Sequence, residues 1–238
     1  MAFERGPVIQ RAGTAARADI DEGLRAFMLK IYNYMSLALG VTGAVAMFTA
    51  SSDTMMQAIF GTPLAYVVMF SPLAFILVLS FGINKLSTGA VQAIFWAFAA
   101  TMGLSMASIF MVYTDTSIAK VFFITASVFA AMSLYGYTTK RDLTGIGSFL
   151  FMGLIGIVIA SIVNIFLQSS MMQFIISVVG VLVFVGLTAY DTQNIKNEYD
   201  ARDSGDVAEK KSIHGALRLY LDFINLFIMM LHLFGNRE

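Results

Sequence analysis

The sequence predicts an all-α integral membrane protein whose seven apolar helices form one bundle. Three observations lead there. The chain of 238 residues is 58% hydrophobic and only 13% charged, where a soluble domain carries roughly 25% charged residues. Its apolar residues gather in runs long enough for helices of about 20 residues, which cross a hydrocarbon core of ~30 Å. The runs are continuous rather than alternating, which excludes the strands of a membrane barrel, so the backbone must satisfy its polar groups within helices.

Six runs qualify outright: residues 31–50, 63–83, 89–113, 118–137, 146–167 and 171–190. A seventh, at about 213–234, qualifies with polar interruptions. Residues 1–30 carry Arg5, Arg11, Arg17, Arg25 and Lys30 among acids. They read as a cytoplasmic N-terminal tail with an interfacial helix near residues 18–30. No short apolar core with a small-residue cleavage site occurs there, so no removable signal peptide is expected. Residues 31–238 read as a single transmembrane helical domain, because only the connection at 191–212 is long. Gly40 with Ala44, Gly103 with Ala107 and Gly156 with Ala160 are small-xxx-small pairs that would let helices approach closely.

Fifteen basic and fifteen acidic residues cancel, so neither a nucleic-acid partner nor an acidic substrate is suggested. The absence of cysteine excludes disulfides, thiolate metal sites and a cysteine nucleophile. Sixteen methionines and twenty-one phenylalanines suit lipid contact and packing, and no cofactor is expected. Loop charge orients the chain. Lys85 follows the second span, Lys140 and Arg141 the fourth, and Lys196, Arg202, Lys210 and Lys211 the sixth. The loops after the first and fifth spans hold no Lys or Arg, and Lys120 stands only at the edge of the one after the third. The positive-inside rule therefore places the N-terminus and the even-numbered loops in the cytoplasm. It leaves open whether the seventh segment crosses fully or is re-entrant.

Two aspartates need a reason to exist in so apolar a chain: Asp191 in GLTAYDTQNIKNEYD and Asp222 in RLYLDFINLFIMMLHLF. On a helical wheel of the seventh segment, His214, Arg218, Asp222, Asn225 and His232 share an arc of roughly 80°. Met229 falls on the same arc, and the rest of the surface is apolar. Such a helix belongs inside a bundle with its polar seam facing a cavity or a polar partner. The sixth helix has no Pro or Gly to stop it after Tyr190. It therefore carries Asp191 to the membrane edge on the face of Leu187, Phe184 and Gly180, and Gly180 allows a neighbour to come close. Asp191 and Asp222 can then meet. Two carboxyls in a dry pocket cannot both ionise cheaply and tend to share one proton. Ionised, they offer oxygens to a hard cation such as Ca²⁺. Simpler readings stand beside this one. Arg218 and Asp222 are four residues apart and can neutralise each other. Asp191 can be a solvated helix end, and His232 a packed or interfacial residue. Lys140, Arg141 and Asp142 anchor a turn.

AYDTQNIK followed by LRLYLDFINLFIMMLHLFG resembles the signature of the Bax-inhibitor family, the transmembrane Bax inhibitor motif proteins. YGYTTKRDLTGIGSFLFMGL, residues 135–154, is similar to that family's junction between the fourth and fifth spans. The resemblance runs from the first span to the end of the chain. The short tail, the lack of extra domains and the lack of cysteine look most like a bacterial inner-membrane member. The resemblance implies six helices around a central seventh. It further implies a pH-sensitive Ca²⁺ leak with Asp191 and Asp222 as sensor, ion path and Ca²⁺ ligands. Ca²⁺ is then cargo, H⁺ the trigger and the bilayer the constant partner. Some relatives have an arginine near the end of the second span that latches onto the aspartates. Here FGINKLSTGA offers Lys85 as the only cation, and lysine cannot reproduce the arginine fork.

A second function follows from the same resemblance, because bacterial relatives are associated with a membrane-bound quality-control protease. The protein would then be a non-enzymatic modulator, with its N-terminal tail as the contact. A third class, the intramembrane aspartyl proteases, also places two aspartates on adjacent helices. Its second aspartate lies in a GxGD context, however, whereas this chain reads LYLD and lacks a PAL-type motif. No enzymatic activity is expected.

Overall fold

The computed structural model describes the backbone of residues 7–236 and the side chains of residues 22–236. Every regular element among them is helical. The helices are α1 (Pro7–Ala50), α2 (Asp53–Phe60), α3 (Leu64–Gly82), α4 (Thr88–Met106), α5 (Asp115–Thr138), α6 (Thr144–Leu167), α7 (Ser170–Asn197) and α8 (Gly205–Phe234). All but α2 are long and apolar enough to cross a membrane, so the seven spans read from the sequence are α1 and α3 to α8. The starts of α2, α4, α5, α7 and α8 are capped by the hydroxyls of Ser52, Ser87, Thr114, Ser169 and Ser204, each accepting a backbone N–H. These caps satisfy donors that a helix otherwise leaves orphaned.

The first helix differs from the expectation. It begins at Pro7 and continues unbroken through residue 30, so no separate interfacial helix precedes the first span. Phe27 and Met28 are already core residues. Of the tail expected to contact a protease, residues 1–30, the side chains of residues 1–21 lie outside the described set. The third span ends early as an α-helix, at Met106, and continues as a 3-10 turn, Ala107–Met111.

The last helix is the axis of the bundle. In its most apolar stretch 56% of residues are buried, against 17% in α3 and α6. It packs on α1, α4, α5 and α7, while α3 leans on α4 and α6 on α7 from outside. The expected central seventh helix is therefore present, with four close neighbours and two outer ones. Tyr220 and Phe223 show why it is held there. The Tyr220 hydroxyl shares a 2.6 Å hydrogen bond with Thr42 of α1, and its ring meets Phe98 of α4 edge-on at 5.1 Å. Phe223 stacks edge-on with Phe122 and Phe129 of α5.

The seventh segment is long enough to cross fully. A 30-residue helix spans about 45 Å. Its end is tied down beside the start of α5, where Asn236 N–H donates to the Ser117 hydroxyl at 2.9 Å and Thr114 N–H donates to the Asn236 carbonyl at 3.2 Å. Lys140 and Arg141 follow the opposite end of α5.

Glycines set two of the crossings. A Cβ on Gly103 would lie 2.6 Å from the Thr42 carbonyl oxygen, so α1 and α4 touch through their backbones. A Cβ on Gly136 would lie 2.2 Å from the Ala189 carbonyl oxygen, which brings α5 equally close to α7. Of the three small-xxx-small pairs, only Gly103 works this way. Gly40 and Gly156 have nothing within 4 Å of where a Cβ would stand.

Candidate functional site

Helix α7 runs past Tyr190 without a break, as expected from a stretch lacking Pro and Gly, and ends at Asn197. Asp191 is thereby fixed on its inner face, 8% exposed, and is not a solvated helix end. Asp222, on the facing side of α8, is 5% exposed. The two carboxyls adjoin within interacting reach. Among the described residues, the Oδ2 atom of Asp222 is buried with no hydrogen-bond partner. Buried polar atoms are paired in the great majority of cases, so an orphan oxygen beside a second carboxyl marks a place for a proton or a cation.

Arg218 lies one turn before Asp222 on α8. Its side chain is 22% exposed, and it turns away from its own-helix neighbour to clasp α7. One Nη–H donates to Asp191 Oδ1 at 2.6 Å and the other to Glu198 Oε1 at 2.8 Å. The fork thus spans two turns of α7 and locks them to α8, the planar geometry that makes arginine hard to replace. Arg218 makes no ion pair with Asp222 among the described residues, although its charge still acts on that carboxyl from one turn away. Lys85 plays no part either: it is exposed in the turn after α3 and makes no ion pair with the aspartates. The latch cation comes from the central helix itself.

Further ties hold the same end of α7. Lys196 donates to the Tyr137 carbonyl at 2.8 Å and lies over that ring. The Gln193 side chain binds the Arg141 carbonyl and the Leu143 N–H, at 2.7 and 2.9 Å. The Thr192 hydroxyl meets Ser133 at 2.9 Å, and Ser133 meets Tyr32 at 2.5 Å. A neighbouring cluster anchors the polar start of α8: Glu209 accepts from Lys30 and Tyr34 of α1 and from Gln92 of α4, the last at 3.0 Å. One turn before Arg218, His214 buries an unpartnered Nδ1 against this site.

The polar seam divides. Met229 does face Gly180, as the wheel implied, with its Cγ and Sδ 2.8 Å from a Cβ built there. Asn225, however, donates to the Leu221 carbonyl of its own helix at 2.7 Å, so it serves the backbone rather than the aspartates. His232 is ten residues from Asp222, about 15 Å along the axis, and its Nδ1 meets Gln173 at 2.9 Å near the far end. Among the described residues no three acidic or histidine side chains converge as a metal cage, and one oxygen of Asp191 is already taken by Arg218. The sequence reading missed Glu198, although it stands seven residues, or two turns, beyond Asp191 on the same face. Extending the wheel past the membrane edge would have found it.

Seven helices of membrane-crossing length, with a polar-seamed one at the centre, make this a helical integral membrane bundle. The family profile described as "Inhibitor of apoptosis-promoting Bax1" matches residues 24–238, and the chain belongs to this Bax-inhibitor family. Among individual proteins it is 49% identical over 220 residues to the Inner membrane protein YbhL of Escherichia coli strain K12, covering 91% of this chain and 94% of that one. It is 48% identical over 225 residues to the uncharacterised protein RP147 of Rickettsia prowazekii, covering 94% and 95%. An uncharacterised protein of Caulobacter vibrioides is 45% identical over 250 residues, covering 99% of each chain.

Proposed function

We propose that this protein is a non-enzymatic, proton-gated cation leak, with Ca²⁺ as its cargo, in a bacterial inner membrane. Its basic end faces the cytoplasm. The observation that carries this reading is the pairing of Asp191 with Asp222, both buried, the latter with an orphan oxygen and the former held by Arg218. The inner-membrane location rests on the similarity to YbhL, and the orientation on loop charge.

In the closed state a proton on Asp222 leaves the pocket with Arg218 positive and Asp191 and Glu198 negative. Loss of that proton places a second unpaired negative charge in a dry pocket, where repulsion is strong. The Asp222 carboxylate then competes with Asp191 for Arg218, loosening the fork that ties α8 to α7. The same charge attracts a cation, and the two carboxylates become a passing station for it. Ca²⁺ and H⁺ therefore compete for one place. The half-exposed Glu198 provides the wet approach from the basic end.

The test is flux into liposomes loaded with a Ca²⁺ dye. Entry should quicken as pH rises from about 6 to about 8. Asp222→Asn should flatten that response and hold one rate throughout, and Asp191→Asn should flatten it too. An unchanged pH profile in both variants would sink the sensor assignment.

A further inference from the structure

Two cavities open between α1 and α5 and meet end to end, of about 1020 and 410 Å³. They share Leu39, Gly43 and Met47 of α1, Phe122 of α5 and Phe223 of α8 in their linings. Together they form one cleft that faces the lipid side of the bundle, with the central helix as its floor. Neither is lined by Asp191 or Asp222.

The larger cavity carries its polar groups at one end, and the smaller one adds Thr42 and Asp115. Arg25, Tyr32, Ser36, Ser133 and Tyr137 line the larger cavity toward the basic end of the bundle. The remaining lining there is apolar apart from glycine. Arg25 is exposed and makes no ion pair among the described residues. The glycines tell the same story from another side. Gly40 and Gly43 line the cleft, and a Cβ on either would meet nothing within 4 Å. Glycine inside a helix costs roughly 1 kcal/mol relative to alanine, and at a helix crossing that cost is offset by close packing. Here no helix comes near. The small side chains keep a slot open.

We propose that this cleft is a binding site for one phospholipid, with its phosphate on Arg25 and an acyl chain along Gly40 and Gly43 toward Phe122. A transmembrane helix fits the lining less well. It would present apolar surface along its whole length, whereas in the larger cavity Arg25 and four other polar side chains gather at one end, as polar groups do on an amphiphile. The larger cavity is also at the upper end of the size range of small-ligand sites. The headgroup would rest on the Tyr32–Ser133–Thr192 chain of hydroxyls, which ends on α7 next to Asp191. This site stands apart from the ion-leak reading and survives if that reading fails.

The test is native mass spectrometry of the full-length detergent-purified protein titrated with dioleoylphosphatidylglycerol, and separately with dioleoylglycerol, which lacks the phosphate. One phosphatidylglycerol should be retained, and dioleoylglycerol about tenfold less strongly, as the loss of a charge-assisted contact implies. Arg25→Ala should weaken phosphatidylglycerol by a similar factor while leaving dioleoylglycerol unchanged. Gly43→Leu, which fills open space and so should fold, should abolish retention of both. Leu37→Ala, on an exposed part of α1 outside the cleft, should change neither. Equal retention by wild type and Gly43→Leu would overturn the proposal, as would a co-purifying polypeptide that Gly43→Leu displaces. If Gly43→Leu unfolds, Gly40→Ala, which adds one methyl group to open space, carries the same comparison.

Discussion

Replacing Arg218 with methionine removes the cation that contacts Asp191 while keeping most of the side chain's apolar bulk. The Asp191 side chain is 11% exposed, so its carboxylate would remain buried without a partner. Breaking a buried pair from one side costs about 3–5 kcal/mol. The second arm of the fork reaches Glu198, whose side chain is 37% exposed, and such a pair contributes only about 0–1 kcal/mol. Nearly all of the loss therefore belongs to Asp191. At about 2–4 °C per kcal/mol for a chain of this size, Arg218→Met should lower the melting temperature in detergent by about 10 °C at pH 7.5. The fluorescence of the single tryptophan, Trp96, reports the transition. The double variant Asp191→Asn with Arg218→Met should regain at least half of the loss, because both charges leave together. Lys85→Met should melt with the wild type. No recovery in the double variant would refute the assignment of Arg218 as the partner on which Asp191 depends.

Gly136→Ala should destabilise the protein by at least 1–3 kcal/mol, the usual cost of overpacking, since its Cβ would stand 2.2 Å from a backbone oxygen of α7. Gly156→Ala, where nothing lies within 4 Å, should be neutral or slightly stabilising. Paired melting curves compare them. Asp142 precedes α6 and accepts from both the hydroxyl and the N–H of Thr144, at 2.6 and 2.9 Å. The Thr144 hydroxyl bond, with the backbone bond next, holds the Asp142 carboxyl below the usual carboxylate range. A lowered folded-state value means stability that is present above the ordinary aspartate range of about 3.9 and fades as pH falls through the folded value. The gap in melting temperature between wild type and Asp142→Ala should therefore be constant from pH 6 to pH 5 and close below about pH 4.

The spans were legible because hydrocarbon imposes a single crude requirement, about 20 apolar residues per crossing, and seven runs meet it. The edges were harder. Residues 205–212 are polar, yet they are helical, because Glu209 finds Lys30, Tyr34 and Gln92 on other helices. No local pattern encodes partners more than a hundred residues away. The aspartate pair was legible from one wheel and the cost of burying charge. Its cation was read less well. Arg218 and Asp222 are neighbours along α8, which suggests a pair, but the arginine side chain is long enough to choose the more exposed Asp191 and Glu198 across the interface. Whether a glycine marks a crossing also depends on the neighbour: Gly136 and Gly156 look alike in sequence, and only one faces a backbone.

The axial position of α8 bears on how the molecule comes into being. The element on which four other spans rest follows all of them in the chain. Until it enters, Thr42 has no Tyr220, Asp191 has no Arg218, and the first six crossings surround an unfilled centre. Six crossings therefore precede the polar-seamed rod that fills the space between them, and the Asn236 tie to Ser117 and Thr114 fixes its far end.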